Sequence, residues 1–231
     1  MSNTERKSNG RLRRTAAGLA SFAAAALAAG PAFAHHPLGG MPMETFAHGL
    51  LSGIGHPVLG FDHLFFVALV GIAALYTSRQ FTAPLAYIGA MIAGCLLMVS
   101  GVAMPAAEIV IGLSLLALGA VVLSGRAMSA PFAMAAFAAA GLFHGSAFGT
   151  SIVGQEAAAP AMVVVGYLIG LAAIQYAIAL ASGFAVKTIW KATEATAVQA
   201  RLAGAVVAGV GAYLTLEKAE GLAFAALGIT A

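Results

Sequence analysis

Charged side chains are what this sequence lacks: 8% of its residues are Asp, Glu, Lys or Arg, against about 25% in soluble domains. With 61% hydrophobic residues and a mean hydropathy of +0.96, a water-soluble globule is excluded and an integral membrane protein is implied. Cysteine is almost missing as well. Cys95 stands alone within an apolar stretch, so there is neither a disulfide framework nor a thiolate metal cluster, and a metal site has to use nitrogen and oxygen donors. The pattern GxxxxGK[ST] does not occur, which excludes a nucleotide-driven motor of that type within the chain. The basic balance, with a pI near 9.2, is not a nucleic-acid footprint, because Arg6, Lys7, Arg11, Arg13 and Arg14 are concentrated at the N-terminus. No nucleic-acid partner is expected.

That basic start is followed by an alanine-rich stretch from Thr15 to Ala29 and by the small-residue pattern "GPAFA". The arrangement predicts a signal peptide, residues 1–34, cut after Ala34. Residues 35–56 then form a periplasmic arm with a short helix, 57–216 a transmembrane domain, and 217–231 a periplasmic tail. Runs long enough to cross about 30 Å of hydrocarbon occur at Pro57–Leu75, Pro84–Ala103, Ala106–Leu123, Pro131–Phe148, Pro160–Phe184 and Leu202–Leu216. The expected fold is therefore all-α, a polytopic bundle of six transmembrane helices in a lipid bilayer. If the mature N-terminus is outside, the connections after spans one, three and five are cytoplasmic. They hold Arg79, Arg126, Lys187, Lys191 and Arg201, whereas the opposite side holds only Lys218. The positive-inside rule thus gives the same orientation as the signal peptide.

All six histidines, His35, His36, His48, His56, His63 and His144, fall on the outer side or in the outer half of this topology, together with an intramembrane carboxylate, Asp62. A carboxylate in hydrocarbon has to be paired or functional, and no Lys or Arg lies in any span to pair with it. A metal cation, a proton or a histidine must compensate it. His56 and His63, seven residues apart, share one helical face. On a straight helix their backbones are about 10 Å apart, awkward for one ion with metal–nitrogen bonds near 2.1 Å. Either the helix bends at Gly60, or the two are successive stations on an entry route. In the fourth span, Gly141, Gly145 and Gly149 recur every four residues, a spacing that lets helices approach closely, with His144 beside that seam. Gly166 and Gly170 make a second such pair. Cleavage after Ala34 would also set a free α-amine next to His35 and His36, a chelating arm able to pass an ion to His48 and His56.

At these residues the chain resembles the HupE/UreJ family of bacterial membrane metal permeases. The stretch "HPVLGFDH" matches the family pattern HPxxGxDH at His56, Pro57, Gly60, Asp62 and His63, and "FHGSAFG" matches its second motif at His144, Gly145 and Gly149. "AHHPLGG" resembles the family's start after the signal peptide. Members often carry an acidic residue soon after the second motif, where this chain has Thr150 and reaches a carboxylate only at Glu156. The resemblance implies a permease moving Ni²⁺, or Co²⁺ as for some members, with no tightly bound cofactor. The ligands alone do not choose among nickel, zinc and copper(II). The candidate metal residues are His35, His36, His48, His56, Asp62, His63, His144 and Glu156.

A reading from another class uses His56, His63, His144 and Asp62 to hold a zinc ion and an activated water, as an intramembrane hydrolase; HExxH, however, is absent. For transport, the inner half offers Ser114, Gln175 and Tyr176 as the best exit ligands. The topology has a direct check: alkaline phosphatase fused after Ala231 is expected to be active and fused near Thr193 to be silent, and the reverse pattern would overturn the assignment.

Overall fold

The computed structural model describes residues 42–153 and 159–228. The leader and its cleavage point, His35, His36 and Glu156 lie outside the described residues. Those described form seven α-helices and no strand: α1 (Phe46–Leu59), α2 (Phe61–Leu75), α3 (Ala83–Val99), α4 (Ala107–Leu123), α5 (Ala130–Val153), α6 (Ala161–Thr188) and α7 (Val198–Ala226). Three of them, α5, α6 and α7, are each long and apolar enough to cross a membrane. The pair α1 and α2 qualifies as one element bent by 82°, and α3 and α4 are apolar but shorter, at 17 residues each.

Two expected boundaries move. The first helix begins at Phe46 rather than Pro57, so the boundary expected between arm and bundle falls inside α1. Pro57 does not start a helix; it lies in the last turn of α1, where its missing N–H weakens the helix three residues before the break at Gly60. Gly49 and Gly53 explain why the arm joins the bundle. A Cβ at Gly49 would strike the carbonyl oxygen of Val163, and one at Gly53 that of Tyr167, so α1 lies directly on α6. At the other end, α7 runs on to Ala226 as one continuous helix, and most of the expected tail is its last turns.

Glycine seams hold the bundle together. Gly166 and Gly170 return the α1 contact, each facing a carbonyl oxygen of α1, at Phe46 and Leu50. Gly141, Gly145 and Gly149 of α5 form the expected seam, against the backbone of Tyr87 and Met91 and the side chain of Met98 on α3, with Gly94 answering from α3 against Leu142. Gly112 and Gly119 on α4 meet Gly211 and Ala208 on α7. Without a hydrophobic driving force between helices in lipid, such backbone approaches supply dispersion contact over a large area. Numbering rises together along the α1–α6 and α3–α5 contacts and in opposition along α4–α7, as it must if successive elements reverse direction.

The basic connections gather at one end. Tyr76 after α2 donates to the carbonyl oxygen of Ala192 at 3.0 Å, and Arg201 Nε at the start of α7 donates to that of Leu123 at 2.9 Å. These contacts bring the segments carrying Arg79, Arg126, Lys191 and Arg201 together. At the opposite end Lys218 is paired with Glu108 at 2.7 Å. Outward faces expose Leu85, Leu113, Val165, Ile169, Leu202 and Val206, a surface suited to lipid and not to water.

Gly145→Val is expected to destabilise the protein by about 1–3 kcal/mol through overpacking, read as a lowered unfolding midpoint in detergent. Gly89→Ala, where a Cβ meets nothing within 4 Å, is expected to raise stability by about 0.5–1 kcal/mol. Equal effects at the two positions would contradict the seam.

Candidate metal site

The break at Gly60 builds the site. Gly60 closes α1 by donating its N–H to the carbonyl oxygen of His56 at 2.9 Å, and its own carbonyl accepts from Leu64 N–H at 2.9 Å to open α2. Its φ of −84° suits any residue; what favours glycine is space. A Cβ there would sit 3.1 Å from His63 Cδ2 and 3.3 Å from Asp62 Oδ1. The bend places His56, in the last turn of α1, beside Asp62 and His63, in the first turn of α2. Of the two alternatives left by the spacing, the structure takes the bend. The His56 and His63 ring centres are 6.1 Å apart. With metal–nitrogen bonds of about 2.1 Å, two imidazoles on one ion have ring centres roughly 4.5–6.4 Å apart.

Each of these imidazoles is held through Nδ1. Tyr167 Oη donates to the carbonyl oxygen of Phe148 at 3.1 Å, so toward His56 Nδ1, 3.2 Å away, it acts as acceptor, with Ser151 Oγ 3.0 Å from the same nitrogen. His56 is thus engaged at Nδ1 by two hydroxyls. Ser114 Oγ donates within its own helix to the carbonyl oxygen of Ile111 at 2.7 Å and therefore accepts from His144 Nε2 at 3.0 Å. His144 Nδ1 is then an acceptor, and His63 Nδ1 donates to it at 3.0 Å. In His63 the basic nitrogen is therefore Nε2, and an imidazole fixed by its second N–H is the usual posture of a metal ligand. Asp62 Oδ2 lies 3.8 Å from His63 Nε2, its side chain 30% exposed. It occupies the first turn of α2, where the helix dipole favours a carboxylate.

His144 has a different place from the other two. It is fully buried near the middle of α5, stacked on Phe66 with ring centres 4.3 Å apart, and both its ring nitrogens are engaged by protein. It positions His63. The rings of His56, His63 and His144 follow one another in a row, with Phe148 packed against the first two. Among the described residues no three His, Cys, Asp or Glu side chains surround a single ion position. His48 is separate from the row: it lies in the first turn of α1, its N–H capped by Thr45 Oγ1 and its Nδ1 accepting from Glu44 N–H at 3.3 Å.

Sequence reasoning missed the partners that orient the imidazoles. Ser151 ends the glycine-rich stretch around His144, and Tyr167 lies within the second GxxxG of α6, so each was next to a recognised pattern without belonging to it. Ser114, expected as an exit ligand, lies with its Oγ 3.0 Å from His144 Nε2.

A family model described as "HupE / UreJ protein" matches residues 23–214. The protein HupE of Rhizobium leguminosarum bv. viciae is 33% identical over 187 residues, covering 80% of this chain and 91% of that protein. No solved structure matches.

Ser114→Ala would leave the buried His144 Nε2–H without an acceptor. The expected loss is about 1–3 kcal/mol of stability, measured by denaturation in detergent, and an unchanged midpoint would refute the assigned tautomer.

Proposed function

The chain belongs to the HupE/UreJ family, an integral-membrane family associated with nickel and cobalt transport, and from that premise we propose that it is a secondary permease carrying Ni²⁺, with Co²⁺ as the nearest alternative, from periplasm to cytoplasm. The observation that carries the reading is the elbow at Gly60, which sets the His56 and His63 rings 6.1 Å apart, with Asp62 Oδ2 3.8 Å from His63 Nε2, in an apolar helix pair bent by 82°. Broken helices at membrane depth are where transporters commonly build ion sites, because the interruption exposes polar groups that an ion can use.

In this reading the six-span expectation holds, with the bent α1–α2 pair as the first crossing and the shorter α3 and α4 as the second and third. The signal peptide is removed and the bacterial inner membrane holds the chain with its N-terminus outside. The clustering of the basic connections at one end supports that orientation. His35, His36 and His48 capture the ion outside, with Glu156 on the same face. His56 and His63 then ligate through Nε2 while Asp62 balances charge where water is scarce. His144, fixed by Ser114, holds the His63 ring in register. Borderline imidazole donors without thiolate suit Ni²⁺ or Co²⁺. Two protein donors leave the ion largely hydrated, which suits a cargo that must be released.

Asp62→Asn separates charge from shape. Membrane abundance is expected to match the wild type, since replacing an intramembrane carboxylate removes a costly charge. Uptake of radioactive nickel into proteoliposomes is expected to fall at least about tenfold. An abundant variant with undiminished uptake would refute the role of Asp62, and lipid hydrolysis without uptake by the wild-type protein would favour the hydrolase.

A further inference from the structure

The end of the bundle that gathers the basic connections carries a cleft that the imidazole row does not use. It has a volume of about 220 Å³ and lies between α2 and α6, with Gly71 and Leu75 on one wall and Gly183 and Phe184 on the other. Small residues hollow it out beside a close crossing. A Cβ at Gly71 would strike the carbonyl oxygen of Ala179, one at Gly183 would sit 3.0 Å from that of Gly71, and Ser182 Oγ donates to that of Ala68 at 2.8 Å. The polar lining is Gln80, Lys187 and Thr188, all at the end where α6 stops. Arg79 lines an adjoining cleft that shares Gln80 and Phe81, and Tyr176 Oη anchors this connection by donating to the Phe81 carbonyl oxygen at 3.1 Å. Among the described residues no carboxylate pairs with Lys187 or Arg79. This end carries Arg79, Arg126, Lys187, Lys191 and Arg201 against the single acid Glu194. Phe81 and Phe184, both lining the cleft, are 60% and 66% exposed, and Trp190, two residues past Thr188, is exposed as well.

We propose that this cleft holds an anionic glycerophospholipid, with an acyl chain between α2 and α6 and the headgroup phosphate at Lys187, Arg79 adding its charge from the adjoining cleft. Apolar walls that run into an unpaired ammonium match a ligand that is hydrocarbon at one end and anionic at the other. Basic pockets between membrane helices recognise anionic headgroups in this way. At 1.5 Å per residue the 28-residue α6 is longer than a bilayer core is thick, so its last turn, with Lys187, reaches the headgroups. Exposed aromatic rings also settle at that level. A zwitterionic headgroup offers the same phosphate together with an ammonium of its own, which the surplus of cations at this end repels. Such a lipid site requires that the chain lie in a bilayer and is independent of the permease reading.

Trp190 is the chain's single tryptophan, so its fluorescence reports on this end. In the full-length protein in detergent, phosphatidylglycerol with brominated acyl chains is expected to quench Trp190 saturably, at concentrations about fivefold or more below those needed with the matching phosphatidylcholine. Lys187→Gln is expected to weaken the phosphatidylglycerol effect about fivefold or more, and Lys187→Arg, which keeps the charge, to retain it. Arg126→Gln removes the same charge from the same end but outside the cleft, and is expected to stay within about twofold of wild type. Equal quenching by the two lipids would overturn the site, as would equal losses in Lys187→Gln and Arg126→Gln, which would assign the binding to a diffuse positive field. Relief of the quenching by excess inorganic phosphate would overturn it too, since a free anion would then suffice.

Discussion

Hydrocarbon offers a broken helix nothing to bond with, so an interruption at membrane depth survives only where protein replaces water. The break at Gly60 meets that condition. Its N–H and carbonyl oxygen close one helix and open the next, Gly60 itself is buried, and Phe148 of α5 packs against the His56 and His63 rings on either side of it. Asp62 lies in the first turn of α2, at the positive end of the helix dipole. The elbow and the acid are mutually dependent: the bend brings the carboxylate beside His63, and the dipole favours its charge.

The glycine seams serve the same end. They fix backbones, and so fix where the side chains that touch the imidazoles originate. Tyr167 reaches His56 from the α6 turn on which Gly53 rests, and His144 projects from the α5 turn whose neighbour, Gly145, packs on Met91. A side chain added at either seam would shift the hydrogen-bond partners of the site as well as loosen the bundle. Packing and chemistry are set here by the same few residues.

Much of this was legible in the sequence because membrane physics makes strong demands on composition. The helical class, the order of apolar segments, the α5 seam and the isolation of Asp62 from any cation followed from charge scarcity, run length and small-residue spacing. The seven-residue interval between His56 and His63 left open whether they meet, since one glycine between them does not specify an angle. Pro57 misled, because proline is at home in a first turn and also tolerated near an interruption, and nothing local distinguishes the two. The fragment before it looked like an arm because only pairing Gly49 and Gly53 with distant residues of α6 reveals a helix interface. The posture of the imidazoles was illegible for the same reason: Ser151, Tyr167 and Ser114 reach them across tertiary distances.

Each seam joins a short or broken helix to a long one: α1 with 14 residues to α6 with 28, α3 with 17 to α5 with 24, and α4 with 17 to α7 with 29. At 1.5 Å per residue the 17-residue helices span about 26 Å, short of a bilayer core of about 30 Å, while α6 reaches about 42 Å. Hydrophobic mismatch is thus built into every pair. In the six-span reading proposed above, lipid beside α3 and α4 has to thin, and the long helices have to tilt or extend beyond it. On that reading acyl-chain length becomes a setting of this protein: a thinner membrane relieves strain around its short helices and shortens the dry interval that the proposed cargo would cross.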